Sequence, residues 1–276
     1  MASRSGQDPL RLLVLTGGHR VDLDALLGMV QALSQDRGWL WAHAVQPAAQ
    51  RWLDPRREGA WDAVLCHDLP GLHLRRGEPP RPVGPEPEVA RALTGLLERG
   101  VGIVATHHSL AGWPAWDGWA DTLGGRFHYA PGTLHGRPWP SSGTRITSYT
   151  ARVVAPEHPV CEGIGQVTLT DELYCCPVLE DRVVPLLRHD ADTAAGSFVS
   201  TYEHVLHGEA SAPDCTGHPP ASDLVAWATS AAASPVVYVQ PGDSAATFGV
   251  PGYRRLIGNA VDWVASPAAR AFAAER

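Results

Sequence analysis

The sequence predicts an α/β fold in which a mostly parallel, doubly wound sheet carries helices on both faces. The first half alternates short apolar runs with helical patterns at βαβ spacing, which favours parallel strands. The runs are continuously apolar, as expected for strands buried on both faces. The 276-residue chain is 44% hydrophobic and 18% charged, which supplies a sizeable core. The sequence of the second half predicts strands with few helices between them. We therefore expect an elaborated, strand-rich extension of the fold there.

In the first half, each apolar run ends at a turn signal or leads into a helical pattern. The predicted strands are residues 11–16, 39–45, 62–66 and 101–105. The predicted helices are residues 23–33, with Asp22 as N-cap and Gly38 beyond the end, residues 88–98, ended by Gly100, and a Trp-rich helical region at 110–123. The Pro- and Gly-rich segment 69–87 is predicted to be a loop.

The second half predicts mainly strands and ends in an amphipathic helix. The predicted strands are residues 146–154, 166–170, 183–187 and 236–240, and the closing helix is residues 254–264. The polar segment 197–221 is predicted to be irregular. Because no repeat or low-complexity linker divides the chain, we expect one domain over residues 10–267, with flexible termini at residues 1–9 and 268–276.

Composition excludes several classes of function. All 22 basic residues are Arg, which excludes a lysine Schiff base to pyridoxal phosphate and a P-loop lysine. No GxGxxG nucleotide motif is present. The net charge of -7 and the scattered arginines form no basic stripe, so no nucleic-acid partner is expected. Without an apolar leader or an 18-residue apolar run, we expect no signal peptide, no membrane span and a cytoplasmic location.

Covalent catalysis is also disfavoured. The five cysteines form no CxxC pair, so neither a disulfide framework nor a cysteine zinc site is expected. Cys66, at the end of a predicted strand, is interpreted as a buried thiol. The GxSxG motif of hydrolases with a serine nucleophile is absent.

Polar, chemically capable residues follow three of the predicted strands. These segments are residues 17–20 (GGHR), 67–68 (HD) and 106–109 (THHS). Ligands of open parallel sheets bind at the carboxyl ends of the strands, so we expect the three segments to lie side by side at one site. A single histidine after a strand is more often exposed or bound to backbone, but three such segments on one edge favour a ligand site.

Two further patterns bear on the site, and each has two interpretations. Asp171 and Glu172 follow the predicted strand 166–170; adjacent carboxylates point apart, so one faces a cleft, unless both belong to a solvated turn. Imidazoles with a carboxylate suit a divalent transition metal or general acid–base catalysis. Trp113, Trp116 and Trp119 recur at a spacing of three, which suits a helix face packed on the core or a platform for stacking sugars.

An ordered series of short motifs resembles the ThuA-like family, which is named for trehalose utilisation. The motifs are Gly17-Gly18-His19, Asp68, His107-His108, Trp113-Pro114, residues 124–127 (GGRF), residues 158–160 (HPV) and residues 171–174 (DELY). The resemblance extends over residues 12–264. It implies a flavodoxin-like fold related to class I glutamine amidotransferases, without their catalytic Cys, because the equivalent turn carries Thr106-His107-His108. It also implies a role in sugar metabolism, notably with 3-keto derivatives of glycosides.

The sequence departs from the family at one position of the expected site. The family usually has a Gly-His pair after the penultimate strand, whereas this chain has Gly242-Asp243. A carboxylate therefore replaces one imidazole. The segments 51–87 and 197–221 also look particular to this chain.

From these observations and the resemblance, we expect an enzyme that acts on a carbohydrate-like small molecule by hydrolysis, elimination or isomerisation. The expected catalytic residues are His19, His107, His108, Asp171 and Glu172. The expected substrate-binding residues are Gly18, Arg20, Asp68, Trp113, His128, Tyr174 and Asp243. A divalent transition metal, zinc or manganese, would be held by His19, His107 and Glu172. The alternatives are a non-catalytic small-molecule binding protein and a partner subunit of a sugar oxidoreductase; a homo-oligomer is compatible with either.

Overall fold

The computed structural model describes residues 8–54, 61–208 and 212–276. The strands are β1 Arg11–Gly17, β2 Leu40–Val45, β3 Ala63–Asp68, β4 Leu72–His73, β5 Arg81–Pro82, β6 Gly102–Thr106, β7 Gly132–Leu134, β8 Arg137–Trp139, β9 Gly143–Val153, β10 Gln166–Cys175, β11 Val184–His189, β12 Val199–Ser200, β13 Leu224–Ala231 and β14 Ser234–Val239. The helices are α1 Leu23–Arg37, α2 Pro87–Glu98, α3 Asp117–Leu123, α4 Thr201–His207, α5 Pro251–Val264 and α6 Pro267–Ala274.

The described residues form one large mixed sheet with a parallel half and an antiparallel half. The parallel half has the order β2-β1-β3-β6-β14, which is the strand order of flavodoxin-like folds. The sheet continues through β13, β11, β9 and β10 in antiparallel pairs, and β12 pairs with β9. This confirms the predicted α/β class and the strand-rich extension of the second half.

Helices cover both faces of the sheet, which explains the continuous apolar runs of the central strands. Helices α1, α5 and α6 contribute Leu26, Leu256 and Ala269 to the core on one face. Helices α2 and α3 contribute Leu96 and Leu123 to the core on the other face. Central strands between two cores expose almost no side-chain surface, so alternation of polar and apolar residues is absent there.

The ends of helix α1 follow from local sequence signals. The Asp22 side chain accepts a hydrogen bond of 2.9 Å from the N–H of Ala25, which satisfies one of the free donors at the start of the helix. Gly38 ends the helix with a φ of 72°, a left-handed conformation that glycine adopts without steric cost. Both signals were predicted from the sequence.

The second half differs from the sequence-based expectation at several elements. Asp171 and Glu172 lie inside β10 and not after it, because β9 pairs with β10 as far as Cys175. The small-residue strand β13 was not predicted, and α4 occupies part of the segment expected to be irregular. The expected flexible end at residues 268–276 is wrong, since α6 packs there through Ala269 and Ala273. Residues 1–7 of the other terminus lie outside the described residues.

The tryptophan region forms no single helical face. The chain makes a short 3-10 turn at His107–Ala111, and α3 begins only at Asp117. Trp113 and Trp119 are buried in the core, as one of the two interpretations predicted. The Trp119 indole N–H donates a hydrogen bond of 2.8 Å to the carbonyl oxygen of Ser109. Trp116 instead lines a surface cavity.

None of the helices in the described ranges is both long enough and apolar enough to cross a lipid bilayer.

Candidate functional site

The site lies at the carboxyl ends of the parallel strands, where the flavodoxin-like order brings four loops together. Strands β1, β3, β6 and β14 are neighbours in the sheet, and each runs directly into a segment that carries polar side chains. The antiparallel strand β10 adds Glu172 and Tyr174 to the same edge. Histidines from the segments 17–20 and 106–109 are therefore neighbours: the rings of His107 and His108 are 4.0 Å apart, and those of His19 and His108 are 3.6 Å apart.

His107 lies at the centre of the cluster in a sharp turn after β6. Its φ of 49° is unusual for a residue other than glycine and is typical of functional positions. Its Nδ1 lies 2.9 Å from the carbonyl oxygen of Gln240; a carbonyl only accepts, so Nδ1 carries the proton. The other ring nitrogen, Nε2, lies 3.2 Å from the Tyr174 hydroxyl, 3.6 Å from the Glu172 carboxylate and 3.7 Å from the Asp243 carboxylate. Two carboxylates this close to one ring nitrogen favour a proton or a metal cation at that nitrogen.

His108 offers a second buried nitrogen to the same space. Its Nε2 has no hydrogen-bond partner and lies 4.0 Å from the Asp243 carboxylate. Its Nδ1 lies 3.3 Å from the Tyr174 hydroxyl, which also contacts the ring nitrogens of His107. Tyr174 therefore orients both imidazoles. An unpartnered buried nitrogen is costly unless a ligand uses it.

The four groups of the cluster differ in their affinity for protons. Burial opposes a charge on His107, but the carboxylates of Asp243 and Glu172 outweigh it and raise its pKa. Burial and the neighbouring His107 lower the pKa of His108 well below its usual value. Burial raises the pKa of Glu172 to about 7. The contact with His107 lowers the pKa of Asp243.

Asp171 faces away from the cluster, as expected for the neighbour of Glu172 in a strand. Its side chain lies on the side of the sheet covered by α5, with Leu169 and Leu173. It accepts hydrogen bonds from the backbone N–H groups of residues 242–244 and from the Thr247 hydroxyl. Asp171 thus holds the loop that presents Asp243.

The strand β3 contributes two buried residues, one of which was not among the expected site residues. His67 stacks on His107 at a ring distance of 6.3 Å and bonds Thr106 through Nδ1 at 2.8 Å; burial lowers its pKa to about 3. Asp68 accepts a hydrogen bond of 2.7 Å from Gln46, and burial raises its pKa to about 6. The His67-Asp68 pair at a strand end was the available signal for His67.

The remaining expected residues occupy the rim, the core or a neighbouring cavity. Gly18 has a φ of 84° and lies against the Leu69 backbone, where a Cβ would come within 2.1 Å of the carbonyl oxygen. Arg20 is exposed. Trp113 is buried in the core. His128 is buried and contributes to the lining of a separate cavity.

Among the residues that the structure describes, one group of side chains could hold a metal ion. Ligand atoms of His107, His108 and Glu172 all lie within 4.8 Å of one another. His107 and Glu172 belonged to the expected trio, whereas His108 takes the place of His19. The ring of His19 packs on His108, and its Nδ1 lies 3.0 Å from the carbonyl oxygen of Arg20.

Comparisons with known proteins identify the family. The ThuA family model, described as trehalose utilisation, matches residues 83–264. The chain therefore belongs to the ThuA family. No curated protein matches the sequence.

Solved structures support the fold. A ThuA-like protein from Parabacteroides merdae superposes with a TM-score of 0.64 at 12% identity, covering 94% of this chain and 91% of the other. A ThuA-like protein from Bacteroides uniformis gives a TM-score of 0.64 at 14% identity, covering 95% of this chain and 94% of the other. At this identity the similarity shows the fold alone.

Proposed function

We propose that this protein is an enzyme that acts on a carbohydrate-like small molecule by acid–base chemistry at the His107 cluster. The observation that carries the proposal is the convergence of two imidazole nitrogens and two carboxylates, from His107, His108, Glu172 and Asp243, on one space at the sheet edge. The ThuA family's link to trehalose utilisation indicates a sugar as the substrate class.

The cluster fits a divalent transition metal, and zinc or manganese suits its donors. The His107 Nδ1–H is bound to a backbone carbonyl, which leaves Nε2 available, an arrangement common among metal-binding histidines. The His108 Nε2 is buried without a partner. His107, His108 and Glu172 would hold the ion, with Asp243 beside them, and the ion would polarise a substrate carbonyl or hydroxyl oxygen.

The other side chains of the site either position the cluster or face an entering substrate. Tyr174 and Gln240 orient the imidazoles, and Asp171 fixes the loop of Asp243. His19 is half-exposed at the open side of the cluster, in ring contact with His108. It is therefore placed to meet an entering substrate.

With a 3-keto glycoside as substrate, this arrangement of groups supports an elimination reaction. The ketone acidifies the neighbouring C–H bond, and His19 takes that proton as general base. The electron pair of the broken C–H bond forms a carbon–carbon double bond as the glycosidic C–O bond breaks. A second imidazole, in its protonated form, delivers a proton to the leaving oxygen. Stopping after proton transfer and returning the proton to another carbon would give isomerisation.

Metal content and proton exchange test the two parts of the proposal separately. We expect the purified protein, reconstituted with Zn²⁺ or Mn²⁺, to retain near-stoichiometric metal, and His108→Ala to lose it. His19→Ala should retain the metal but lose about 100-fold or more of the exchange of solvent deuterium into the carbon beside the ketone. His158→Ala is the matched control, because His158 is a partly buried histidine that packs on Trp263.

Each result has a defined consequence. Absence of metal in the reconstituted wild type refutes the metal site, while exchange that still depends on His19 and His107 preserves acid–base catalysis. Metal binding without exchange or turnover of any keto-glycoside refutes the enzyme and supports the non-catalytic binding protein. The replacement of the family's usual histidine by Asp243 is the sequence feature that favours this second candidate.

A further inference from the structure

Two cysteines and a histidine lie together at the end of strand β10, where the proposed chemistry does not use them. Cys175 is fully buried, and Cys215 and His218 expose only 6% and 5% of their surface. Both sulfurs belong to the core on the face of the sheet that α5 covers. Cys175 points away from the face of β10 that carries its neighbour Tyr174. The group is therefore separate from the His107 cluster.

The Cys175 sulfur is in direct contact with the His218 ring. Its Sγ lies 3.2 Å from His218 Nδ1 and 3.5 Å from the carbonyl oxygen of Pro219. The same Nδ1 lies 2.7 Å from that carbonyl oxygen. Because a carbonyl only accepts, Nδ1 carries a proton. An N–H group beside a sulfur favours the thiolate, which is the reactive form of cysteine.

The Cys215 sulfur lies beside the Cys175 side chain. Gly143 of β9 pairs directly with Cys175 of β10, and the side chains of such a pair point to the same face with Cβ atoms about 4.5–5.5 Å apart. Gly143 has no side chain, and the Cys215 sulfur fills the place where its Cβ would stand. Cys215 is therefore within the range from which two cysteines form a disulfide with small shifts. Both thiols are free.

A single turn of the chain separates this pair from solvent. Cys215 and His218 are the inward residues of the turn, and Thr216 and Gly217 between them are exposed. The N–H of His218 donates to the carbonyl oxygen of Cys215 at 2.7 Å, and the N–H of Cys215 donates to that of Phe198 at 3.0 Å. Displacement of this short turn is enough to admit a small oxidant.

The closed turn keeps the pair reduced. Burial raises the pKa of Cys175 to about 12 and the pKa of Cys215 to about 11, so both sulfurs are thiols at neutral pH while the turn is in place. Oxidation therefore proceeds when the turn opens and the sulfur of Cys175 gains access to solvent together with the His218 N–H.

We propose that Cys175 and Cys215 form a redox-modification site, at which a hydroperoxide converts the two neighbouring thiols into an intramolecular disulfide. The proposal does not rest on the proposed function. Its product would fasten the end of β10 to the turn at residues 215–218.

The reaction balances in two steps. The Cys175 thiol loses its proton to solvent, and its sulfur attacks the outer oxygen of the hydroperoxide. The O–O bond breaks, Cys175 becomes a sulfenic acid, and the other oxygen leaves with a proton as water or an alcohol. The Cys215 sulfur then attacks the Cys175 sulfur, the S–O bond breaks, and hydroxide leaves with the Cys215 proton as water. Two thiols have lost two electrons, and the hydroperoxide has gained them.

Hydrogen peroxide added to the folded protein, followed by denaturation, alkylation and peptide mass spectrometry, tests the site. We expect two of the five cysteines to become resistant to alkylation and one linked peptide pair to join Cys175 with Cys215. The thermal midpoint should rise by about 5 °C, because the link restricts the unfolded chain. Dithiothreitol should reverse both changes.

Three variants separate this pair from the adjacent thiol. Cys175→Ser should abolish the disulfide. Cys176→Ser is the matched control, because Cys176 is buried in the core on the other face of the sheet, and it should leave the disulfide intact. Cys215→Ser should stop the reaction at a sulfenic acid on Cys175, which dimedone traps.

Several results would overturn the site. They are five alkylatable cysteines in the oxidised folded protein, a disulfide that includes Cys176 or joins two chains, and a midpoint that falls on oxidation. Treatment of the urea-unfolded protein shows that the peroxide is active, so unreacted thiols in the folded protein count against the proposal. Non-reducing electrophoresis distinguishes a link within one chain from a link between two chains.

Discussion

Asp171 allows a direct test of whether a buried carboxylate holds the site or takes part in its chemistry. One oxygen accepts from the N–H groups of Glu172 and Asp243, and the other accepts from Gly242, Ser244 and Thr247. In Asp171→Asn only one acceptor oxygen remains. Whichever way the amide turns, at least two donors lose their acceptor.

The expected loss of stability follows from those donors. A buried donor without an acceptor costs about 1–3 kcal/mol, so two donors cost about 4 kcal/mol of unfolding free energy. For a chain of this size, that lowers the thermal midpoint by about 10 °C. Because the loop of Asp243 is released, we also expect metal affinity to fall about 10- to 100-fold.

Thermal and urea unfolding with a chelator present measure the first effect, and metal titration measures the second. Glu172→Gln is the matched control on the adjacent residue. The folded pKa of Glu172 is raised to about 7, so its charge costs stability above that pH, and the variant should be at least as stable as wild type at pH 8. Asp171→Asn with an unchanged midpoint but no turnover would refute the positioning role and make Asp171 a catalytic group.

Three other substitutions test particular contacts. Burial raises the folded pKa of Asp68 to about 6, above its unfolded value, so ionisation of Asp68 destabilises the fold as the pH rises. The unfolding free energy of Asp68→Asn, relative to wild type, should therefore increase by about 1 kcal/mol from pH 5 to pH 7. A difference between the two proteins in urea unfolding that stays the same at both pH values would contradict this. Gly18→Ala should lose about 2 kcal/mol or more of unfolding free energy, because its Cβ would meet the Leu69 carbonyl oxygen. Wild-type stability of this variant would refute the close approach. Asp22→Ala should lose about 1 kcal/mol through the bond to Ala25, and no change in the thermal midpoint would show that the cap is dispensable.

The sequence predicted the parallel half of the fold well because its signals are local. Asp22 and Gly38 mark the ends of α1, and continuous apolar runs mark strands covered on both faces. Strand β13 was missed because the three alanines and one serine of its sequence, LVAWATSA, weaken the strand preference of its Val, Trp and Thr. Pairing with β11 and β14 makes it a strand. Non-local pairing of this kind leaves no local pattern.

The sequence predicted which residues belong to the candidate site better than it predicted how they are arranged. The rule that ligands bind at the carboxyl ends of parallel strands placed His19, His107 and His108 at one edge. The division of Asp171 and Glu172 between two faces also followed from strand geometry. The sequence could not show which of the two carboxylates enters the site, because that depends on the pairing of β10 with β9 and on the loop at residues 242–244.

The His107 cluster joins positions that are distant in the chain, and this has a consequence for folding. The bond from His107 to Gln240 spans 133 residues, so the cluster is complete only after β14 has docked on β6. Contacts of such high sequence separation form late and slowly. A ligand of the cluster therefore binds the fully folded chain and stabilises it globally, by about 2.7 kcal/mol at 100 times its dissociation constant. Thermal-shift screening against sugars and metals is for this reason a sensitive reporter of the site, even before any reaction is known.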